Sequence, residues 1–523
     1  MPAPPLIQVA VVLHPRDNIA VAARPLSEGQ EYAWNGHLLR IADPIRLGHK
    51  VALTRIAKGE PIRKYGQIIG FASRDIAPGS HVHVHNVSAE AFARDYAFCQ
   101  ECPPPLPRPA VPATWMGFDR GDGRYGTRNY VAVISTVNCS ASTSRYICDE
   151  VRQRNLLHRY PNVDGVFAIT HKGGCAMAFG GPDHRQLERT LAGFARHANV
   201  AAYILIGLGC ETGQAVHLIE SEGLLTLSPR GNGSSPSRRP PLVLTIQECG
   251  GIRQTVEAGV KAVAELLPVA DDVRRVKLTA DKLILGTQCG GSDGNSGVTA
   301  NPALGWAADR LVAEGGTAVL AETPEIYGAE HLLTRRAINR EVAEKLLERL
   351  RWWEWYTGIF GAEINNNPSW GNKEGGLTTI YEKSLGAIAK GGSTALMDVI
   401  QYAEPIRQKG FIVMDTPGYD PVSMTGLVAG GANVLVFTTG RGSVFGCKPV
   451  PSIKVATNTP LFERMPDDMD INAGVILEGT TVAEVGQRIF EEILEVASGK
   501  KTKSELHGVG EEEFAPWSIG PTL

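Results

Sequence analysis

The sequence predicts an α/β protein in which a small N-terminal all-β module precedes two α/β domains with mainly parallel sheets. Three observations predict this fold class. The 523 residues correspond to about three domains at ~100–200 residues each. Short β-rich runs fill residues 1–98, and a proline-rich segment follows them. Beyond that segment, apolar strands alternate with amphipathic helices, which is typical of parallel sheets covered by helices.

Composition restricts the function classes to consider. The chain has 52 Lys and Arg against 55 Asp and Glu, a net charge of −3, and 43% hydrophobic residues. This apolar content argues against intrinsic disorder, and the lack of a basic excess argues against a nucleic-acid partner. The apolar runs are too short for a membrane span, and residues 1–15 show no secretory signal. We therefore expect a cytoplasmic homo-oligomer that acts on a small molecule, with no membrane partner.

Residues 1–98 are predicted to form the all-β module, since turn-prone pairs such as Lys58-Gly59 and Pro78-Gly79 separate its apolar runs. The predicted strands lie at residues 6–13, 18–23, 50–56, 61–65 and 68–72. Residues 99–115 are assigned to a linker. Prolines at the density of ECPPPLPRPAVPAT favour extended polyproline II over a helix or a sheet interior.

The rest of the chain divides into a middle domain, residues 116–275, and a C-terminal domain, residues 276–523. Apolar, β-branched runs predict buried parallel strands in both. In the middle domain these runs are 130–135, 163–170, 202–207 and 242–247, with helices at 144–157, 186–197 and 252–267. In the C-terminal domain they are 283–287, 317–321, 395–399, 411–415, 434–438 and 453–456. The polar stretch 229–241 is predicted to be a long loop or a flexible joint.

The segment HVHVHN, residues 81–86, is the most specific local signal. On a strand, alternate side chains share one face about 6–7 Å apart, so His81, His83 and His85 can converge on a transition metal. A solvated row of histidines beside a loop is the alternative. His49, which precedes Lys50 in RLGHKVALT, is a candidate for proton transfer, although such a pair is more often a surface feature.

A glycine-rich segment, GTQCGGSDGNSGVTANP at residues 286–302, ends a predicted strand and precedes a predicted helix. Inward-facing backbone N–H groups and a helix N-terminus together hold a carboxylate or a phosphate. The segment matches neither the Walker pattern nor GxGxxG. Ser292, Asp293 and Asn295 belong to its predicted polar lining, and an ordinary βα turn is the alternative.

Two further glycine-rich loops carry a cation. NPSWGNKEGG at residues 367–376 contains Lys373, and TTGRGSVFG at residues 438–446 contains Arg441. Arg grips a carboxylate bidentately, whereas Lys serves as a point charge or a proton-transfer group. A solvated cation on a glycine turn is the alternative for each. Several polar loops at one sheet edge favour a small anionic substrate.

The nine cysteines are an odd number in a long chain, which favours a reducing compartment over a disulfide framework. Cys139, Cys175, Cys210 and Cys289 each follow an apolar run and stand beside small residues. Cys139, Cys175 and Cys289 are alternative ligands of iron or of an iron–sulfur cluster with one open iron, although their spacing matches no ferredoxin pattern. Buried, inert cysteines are the other interpretation.

Taken in order, these motifs resemble the altronate/galactarate dehydratase family. The resemblance rests on GFDRGDGRYGTRNYVAV (residues 117–133), IGLGCE (206–211), QCGGSDGNSGVTANP (288–302), NPSWGNKEGG and TTGRGS. The N-terminal module, with GHK and HVHVHN, resembles the SAF domain of that family, a small β-clip fold. The histidine triplet favours the altronate branch. Galactarate dehydratases, other aldonate or aldarate dehydratases and sulfolactate sulfo-lyases, which are usually split over two chains, are the alternatives.

The resemblance implies a hydro-lyase of acid-sugar catabolism that removes water to leave a 2-keto-3-deoxy acid, which for altronate is 2-keto-3-deoxygluconate. It also implies dependence on Fe²⁺, with Mn²⁺ as a substitute, because a Lewis acid stabilises the enolate-like charge and the departing hydroxide. The assigned residues are His83 and His85 as metal ligands, His49, Lys373 and Asp293 as catalytic residues, and Ser292, Asn295 and Arg441 as substrate-binding residues.

Two functions outside the lyase class are also compatible with the sequence. A nicotinamide-dependent oxidoreductase uses similar α/β layers, but the chain shows no glycine fingerprint with a downstream acidic residue. A non-catalytic acid-sugar-binding protein is the other, since a β module and glycine loops are sufficient for binding alone.

Overall fold

The N-terminal module, the middle domain and the C-terminal domain have the predicted all-β, α/β and α/β architectures. They are seen in a computed structural model, which describes residues 3–227 and 238–521. Most of the stretch 229–241, predicted to be a loop or joint, lies outside the described residues. Within the described ranges, no helix has the length and apolar character needed to cross a membrane.

Short antiparallel strands build the N-terminal module, because its apolar runs are interrupted by glycine turns. The strands are β1 (Ala10–Val11), β2 (Ile19–Ala22), β3 (Glu31–Trp34), β4 (His37–Arg40), β5 (Lys50–Ala52), β6 (Pro61–Lys64), β7 (Gln67–Ala72), β8 (His81–Val82) and β9 (Val87–Ser88). They form sheets in the orders β1-β2-β5-β8 and β6-β7-β9 and the hairpin β3-β4. The strand predicted at residues 6–13 is reduced to β1, because a 3-10 turn at Leu6–Gln8 precedes it.

The segment HVHVHN does not continue as a strand beyond Val82. Asn86 bends the chain: its side-chain oxygen accepts from the backbone N–H of His83 at 2.8 Å, and its amide donates to the carbonyl of His81 at 2.8 Å. The strict alternation expected of a strand is therefore wrong for residues 83–86. A side chain that replaces ladder hydrogen bonds in this way is the usual cause of an Asn turn.

The middle domain is a four-stranded parallel sheet of order β13-β12-β14-β17, covered by helices. Its elements are β10 (Thr114–Asp119), β11 (Tyr125–Gly126), β12 (Tyr130–Ser135), α1 (Ala141–Gln153), β13 (Gly165–Ile169), α2 (Pro182–Ala195), β14 (Val200–Gly207), α3 (Ala215–Glu222), β15 (Thr226–Leu227), β16 (Arg238–Arg239), β17 (Val243–Thr245), α4 (Ile252–Asp271) and β18 (Val276–Thr279). Strands β11, β10 and β18 form a separate antiparallel sheet. The central strand β12 is buried along its whole length, as its continuous apolar sequence predicts.

The C-terminal domain is a seven-stranded parallel sheet of order β21-β22-β20-β19-β23-β24-β25. Its elements are β19 (Ile284–Cys289), α5 (Ala300–Ala313), β20 (Thr317–Leu320), α6 (Glu330–Thr334), α7 (Arg340–Ile359), α8 (Trp370–Glu374), α9 (Ile380–Ala387), β21 (Leu396–Ile400), β22 (Gly410–Met414), α10 (Asp420–Gly430), β23 (Val434–Thr439), β24 (Ser452–Ala456), α11 (Thr459–Arg464), β25 (Ile471–Asn472), α12 (Val482–Ala497) and α13 (Lys503–Leu506). All of its strand pairs are parallel. Short loops and buried apolar strands place the carboxyl ends of neighbouring strands at one edge.

Candidate active site

The loops that follow β19 and β23 meet where the strand order of the large sheet reverses. Strand β20, which follows β19 in the chain, lies on one side of β19, and β23 pairs with β19 on its other side. The backbone N–H groups of Gly440 and Arg441 donate to the carbonyl of Gly291 at 3.0 and 2.8 Å, and Gly294 donates to the carbonyl of Gly375 at 2.8 Å. All three predicted glycine loops therefore come together. Open parallel sheets bind ligands in the crevice at such a reversal point.

Asp293 holds this loop cluster together from within. Its buried carboxylate accepts hydrogen bonds from Asn295 N at 3.1 Å, Ser296 Oγ at 3.1 Å, Thr457 Oγ1 at 2.9 Å and Asn458 Nδ2 at 3.1 Å. Burial raises the pKa of Asp293, and these donors act against that rise. With both oxygens engaged, Asp293 positions the loop residues around it.

Ser292 and Asn295 each carry a polar atom that is not satisfied within the loop cluster. Ser292 Oγ and Asn295 Oδ1 are buried, and neither forms a hydrogen bond within the described part of the chain. Asn295 borders the N-terminal module, because a Cβ at Gly48 would stand 3.1 Å from its Nδ2. Buried polar atoms are rarely left unpaired. These two predicted substrate-binding residues are therefore suited to hydrogen-bond a ligand.

The N-terminal module is docked on the C-terminal domain through a buried ion-pair cluster. The Glu382 carboxylate receives Lys50 Nζ at 2.8 Å and Lys64 Nζ at 3.0 Å. Both lysines also donate to backbone carbonyls of the loop cluster, Lys50 to Gly376 and Lys64 to Gly294. Burial opposes ionisation of Glu382, but the two ammonium groups outweigh it and lower the pKa of the carboxylate. This cluster brings β5 and β6 of the module, which carry Lys50 and Lys64, to the glycine loops.

Three histidines converge at this docking surface. His49 Nδ1 lies 3.0 Å from His81 Nε2, and the His83 ring centroid lies 4.9 Å from that of His49. One donor atom from each of the three lies within 4.8 Å of the others. His83 Nδ1 is buried and unpaired in the described residues. Burial lowers the pKa of His81 to about 4 and that of His83 to about 3, so the imidazoles are neutral, as metal ligation requires.

The orientation of His49 is set by the loop cluster. Its Nε2 lies 3.0 Å from the carbonyl oxygen of Glu374, which can only accept. The ring hydrogen therefore resides on Nε2, and the lone pair of Nδ1 faces the histidine group. The structure groups His83 with His49 and His81 rather than with His85, which is exposed and contacts His81 only at a ring-centroid distance of 5.4 Å.

The two predicted cations, Lys373 and Arg441, both belong to the loop cluster, but their side chains have different contacts. Arg441 follows β23, and its partly exposed guanidinium pairs with Glu374 at 3.2 Å. Lys373 belongs to α8 and lies 5.9 Å from the centre of the Trp370 ring. Asn372, between them in the loop cluster, donates to the carbonyl of Ser292 at 2.8 Å. Arg441 is thus available for an anionic ligand by exchange with an exposed carboxylate.

Cys289 lies beneath the glycine loop in a second buried cluster. Lys390 Nζ lies 2.7 Å from its Sγ and 2.8 Å from Glu322 Oε2. Glu325 Oε2 is 3.5 Å from the same sulfur, and Lys383 donates to Glu325 at 2.7 Å. One donor atom from each of Cys289, Glu322 and Glu325 lies within 4.8 Å of the others, a spacing that could hold a metal ion. However, the two lysines already supply the positive charge that a cation would bring.

Burial perturbs the acids of this second cluster. It raises the pKa of Glu322 to about 8 and the pKa of Asp420 to about 6, while the nearby Lys390 opposes the first shift. Gln288 Nε2 links the two carboxylates at 2.9 Å each. Burial also raises the pKa of the Cys289 thiol, and the charge of Lys390 opposes that rise. The cluster is a buried hydrogen-bonded network that supports the loop after β19.

The three cysteines considered as iron ligands are not brought together. Cys289 is buried among Lys390, Glu322 and Glu325 in the C-terminal domain. Cys139 and Cys175 are exposed in loops of the middle domain. An iron–sulfur cluster on this trio therefore lacks support from the fold.

Sequence reasoning missed the charged residues that position the site. These residues are Lys50, Lys64, Glu322, Glu325, Glu374, Glu382, Lys383, Lys390 and Asp420. Most of them are almost fully buried. Charged side chains within or beside apolar segments were the available signal, because such residues are rarely buried unless paired. Their partners could not be read from the sequence.

Comparison with known proteins agrees with this architecture. Three family models match successive parts of the chain: the altronate/galactarate dehydratase SAF domain at residues 8–90, the second domain of D-galactarate dehydratase/altronate hydrolase at residues 117–271, and the C-terminal domain of D-galactarate/altronate dehydratase at residues 280–522. The matches correspond to the β module and the two α/β domains.

Full-length relatives show the same relationship. The chain is 34% identical to an altronate dehydratase of Escherichia coli over 513 residues, covering 98% of this chain and 99% of the relative. It is 34% identical to an altronate dehydratase of Bacillus subtilis over 520 residues (98% and 99%), and 38% identical to a galactarate dehydratase (L-threo-forming) of E. coli over 497 residues (94% and 93%). The protein is thus an enzyme of the carbon–oxygen hydro-lyase class. It belongs to the altronate/galactarate dehydratase family.

Proposed function

We propose that this enzyme dehydrates altronate to 2-keto-3-deoxygluconate in the crevice between the N-terminal module and the C-terminal domain. One observation carries the proposal. The neutral histidine group adjoins the Asn295 side chain: a Cβ at Gly48 would stand 3.1 Å from Asn295 Nδ2, and a Cβ at Gly376 would stand 3.2 Å from His49 Cδ2. Asn295 Oδ1 and, on the same loop, Ser292 Oγ have no hydrogen-bond partner among the described residues. A metal-binding group next to hydroxyl-binding residues suits the dehydration of a polyhydroxy acid.

A divalent iron, or manganese in its place, fits His49, His81 and His83. The fit rests on the mutual spacing of their donor atoms and on the unpaired His83 Nδ1. Imidazole nitrogen is an accepted ligand for both metals. When bound, the metal supplies a Lewis acid for the charge that develops next to the substrate carboxylate and on the leaving hydroxyl group.

The chain's own residues bind and orient the substrate. Arg441 takes the carboxylate bidentately in exchange for its exposed pairing with Glu374. Ser292 and Asn295 hydrogen-bond substrate hydroxyls through the atoms that are otherwise unpaired. The Asp293 carboxylate accepts from the backbone N–H of Asn295 and from Ser296 Oγ, and Asn372 Nδ2 donates to the Ser292 carbonyl; together these bonds hold the loop in place.

Proton transfer is assigned to Lys373. The C2 proton next to a carboxylate is weakly acidic, so a base must be held close to it. His49 is a member of the histidine group, and both oxygens of Asp293 are engaged in hydrogen bonds. Lys373 remains: it lies in α8 next to Glu374, whose backbone carbonyl contacts His49.

A cytoplasmic location and assembly as a homo-oligomer remain predictions from the sequence.

The decisive experiment is a substrate screen of the purified enzyme. Chelated protein is resupplied with Fe²⁺ or Mn²⁺ and offered altronate, galactarate and other acid sugars, with 2-keto-3-deoxy product as the readout. We expect the highest kcat/KM for altronate and loss of turnover after chelation. Galactarate is the second candidate, favoured by the higher identity of 38%. Preference for it would overturn the substrate assignment, and full turnover after exhaustive chelation would overturn the metal requirement.

A further inference from the structure

The exposed cysteines of the described residues lie at one edge of the middle sheet. Cys139, Cys175 and Cys210 are exposed, while the remaining cysteines are buried or partly buried. Each of the three follows one of the adjacent parallel strands β12, β13 and β14. Cysteine is among the residue types most often buried, and an exposed thiol is a chemical liability. Their concentration at a single sheet edge therefore points to a ligand.

The three loops are packed directly against one another. Asn138, next to Cys139, donates from its backbone N–H to the Gly173 carbonyl and from its side chain to the His171 carbonyl, both at 3.0 Å. Gly174, next to Cys175, accepts from Gly213 N at 2.9 Å. A Cβ at Gly174 would stand 2.3 Å from the Thr136 carbonyl, so only glycine permits this approach. The loop after β12 is thus held between the loops after β13 and β14.

The Cys210 loop is fixed by a buried carboxylate. Glu211 accepts from the backbone N–H groups of Leu208 at 3.2 Å and Gly209 at 2.6 Å, and from Thr136 Oγ1 at 3.0 Å. These contacts tie the Cys210 loop to the residues that precede Cys139. They also occupy the carboxylate of Glu211, whereas Cys210 Sγ accepts a single long hydrogen bond, from Gln247 Nε2 at 3.6 Å.

The surroundings leave room for a group larger than a single metal ion. A cavity of about 660 Å³ adjoins Cys175, and its lining includes Lys172, Asp183 and the pair Arg145–Glu512 at 2.9 Å. Helix α1 begins just after Cys139, so the positive end of its dipole is directed at this edge. One zinc ion would hold sulfurs about 3.8 Å apart at ~2.3 Å bonds. Among the described residues, donor atoms that lie within 4.8 Å of one another occur in two other clusters. The three thiols are not among them, so their sulfur atoms are more widely spaced.

We propose that Cys139, Cys175 and Cys210 ligate an iron–sulfur cluster whose remaining iron faces the cavity beside Arg145 and Lys172. In a four-iron cluster held by three thiolates, one iron has no cysteine ligand and is open to another ligand. Cys210 takes the place that sequence reasoning gave to Cys289. The site is separate from the histidine group and does not depend on which acid sugar the enzyme prefers.

The test uses the full chain, purified without oxygen and reconstituted with Fe²⁺ and sulfide. We expect about four acid-labile sulfides per chain and about four irons beyond any iron held by the histidine group, with broad visible absorption that bleaches on reduction. Cys139→Ser, Cys175→Ser and Cys210→Ser should each lose most of the labile sulfide. The matched controls Cys249→Ser, Cys289→Ser and His83→Ala should retain it, which separates this site from the proposed function.

A measurement on the unaltered chain covers the case in which a serine variant fails to fold. Alkylation rates of individual cysteines, followed by mass spectrometry, should fall at least tenfold for the three thiols after reconstitution and remain unchanged for Cys249. Absence of bound sulfide, stoichiometric zinc in its place, unprotected thiols or retention of the cluster by all three serine variants would each overturn the proposal.

Discussion

The Nδ1 atom of His83 is buried without a hydrogen-bond partner, whereas His85, two residues away, is exposed to solvent. The difference arises from the Asn86 turn, which ends the strand after Val82 and removes His85 from the face shared by its neighbours. The motif was readable from the sequence, but the choice of ligands within it was not. A side-chain hydrogen bond to the backbone made that choice.

His83→Ala is expected to lower the bound metal after dialysis and to reduce kcat/KM at least ~100-fold, since loss of even an outer partner of a metal ligand reduces affinity or activity ~10–100-fold. His85→Ala, the matched control, should stay within about threefold of the unaltered enzyme, because its side chain lies outside the group of converging donor atoms. Metal analysis and steady-state kinetics provide the readouts. Equal effects of the two substitutions would contradict the ligand assignment.

Helix α9 is the element that joins the N-terminal module to the loop cluster. Its Glu382 side chain is 0% exposed and pairs with Lys50 and Lys64, which are 0% and 1% exposed. Along the chain, Glu382 is separated from Lys50 by 332 residues and from Lys64 by 318 residues. The strands that carry Lys50 and Lys64 were predicted, because periodicity and turn residues are local signals. The pairing was not, since it depends on how two folded units dock.

Glu382→Gln should destabilise docking of the module by about 3–5 kcal/mol, because it leaves two buried ammonium groups without their counter-charge. Denaturant unfolding and the rate of proteolytic release of the module would report the loss. Asp75→Asn is the matched control in the same module: it breaks the Arg55–Asp75 pair, whose side chains are 71% and 58% exposed. That change should leave stability nearly unchanged, because exposed ion pairs contribute little. Comparable losses in both variants would show that Glu382 has no special role.

At the scale of the whole molecule, Arg128 ties the middle domain to the C-terminal helices. Its buried guanidinium donates to both oxygens of Glu505, at 2.6 and 2.8 Å, and to the carbonyls of Val496 and Lys500 at 2.8 Å each. Burial opposes ionisation of Glu505, but the hydrogen bonds and charge of Arg128 prevail and lower its pKa below the ordinary value of 4.5. A carboxylate with a lowered pKa stabilises the fold above its unfolded-state pKa.

This linkage predicts how stability depends on pH. The contribution of Glu505 should be fully present near neutral pH and should disappear as the pH falls from about 4.5 through the lower folded-state pKa. The free energy of unfolding of Glu505→Gln should therefore be lower than that of the unaltered chain at pH 7, and the gap should narrow in acid. Chemical denaturation at several pH values measures it. A gap that stays constant or widens toward low pH would contradict the assigned ion pair.

The sequence by itself determined the fold class, the order of the three units, the strand ends that carry glycine loops, and the residue types available there. It could do so because hydrophobic period, proline density and turn residues act over a few positions. Only the tertiary structure decided that His49 joins His81 and His83, that Lys50 and Lys64 share Glu382, and that Cys289 is buried away from the other cysteines. Those contacts join residues distant along the chain, and their partners follow from the docking of domains and the satisfaction of buried charge, which no local pattern records.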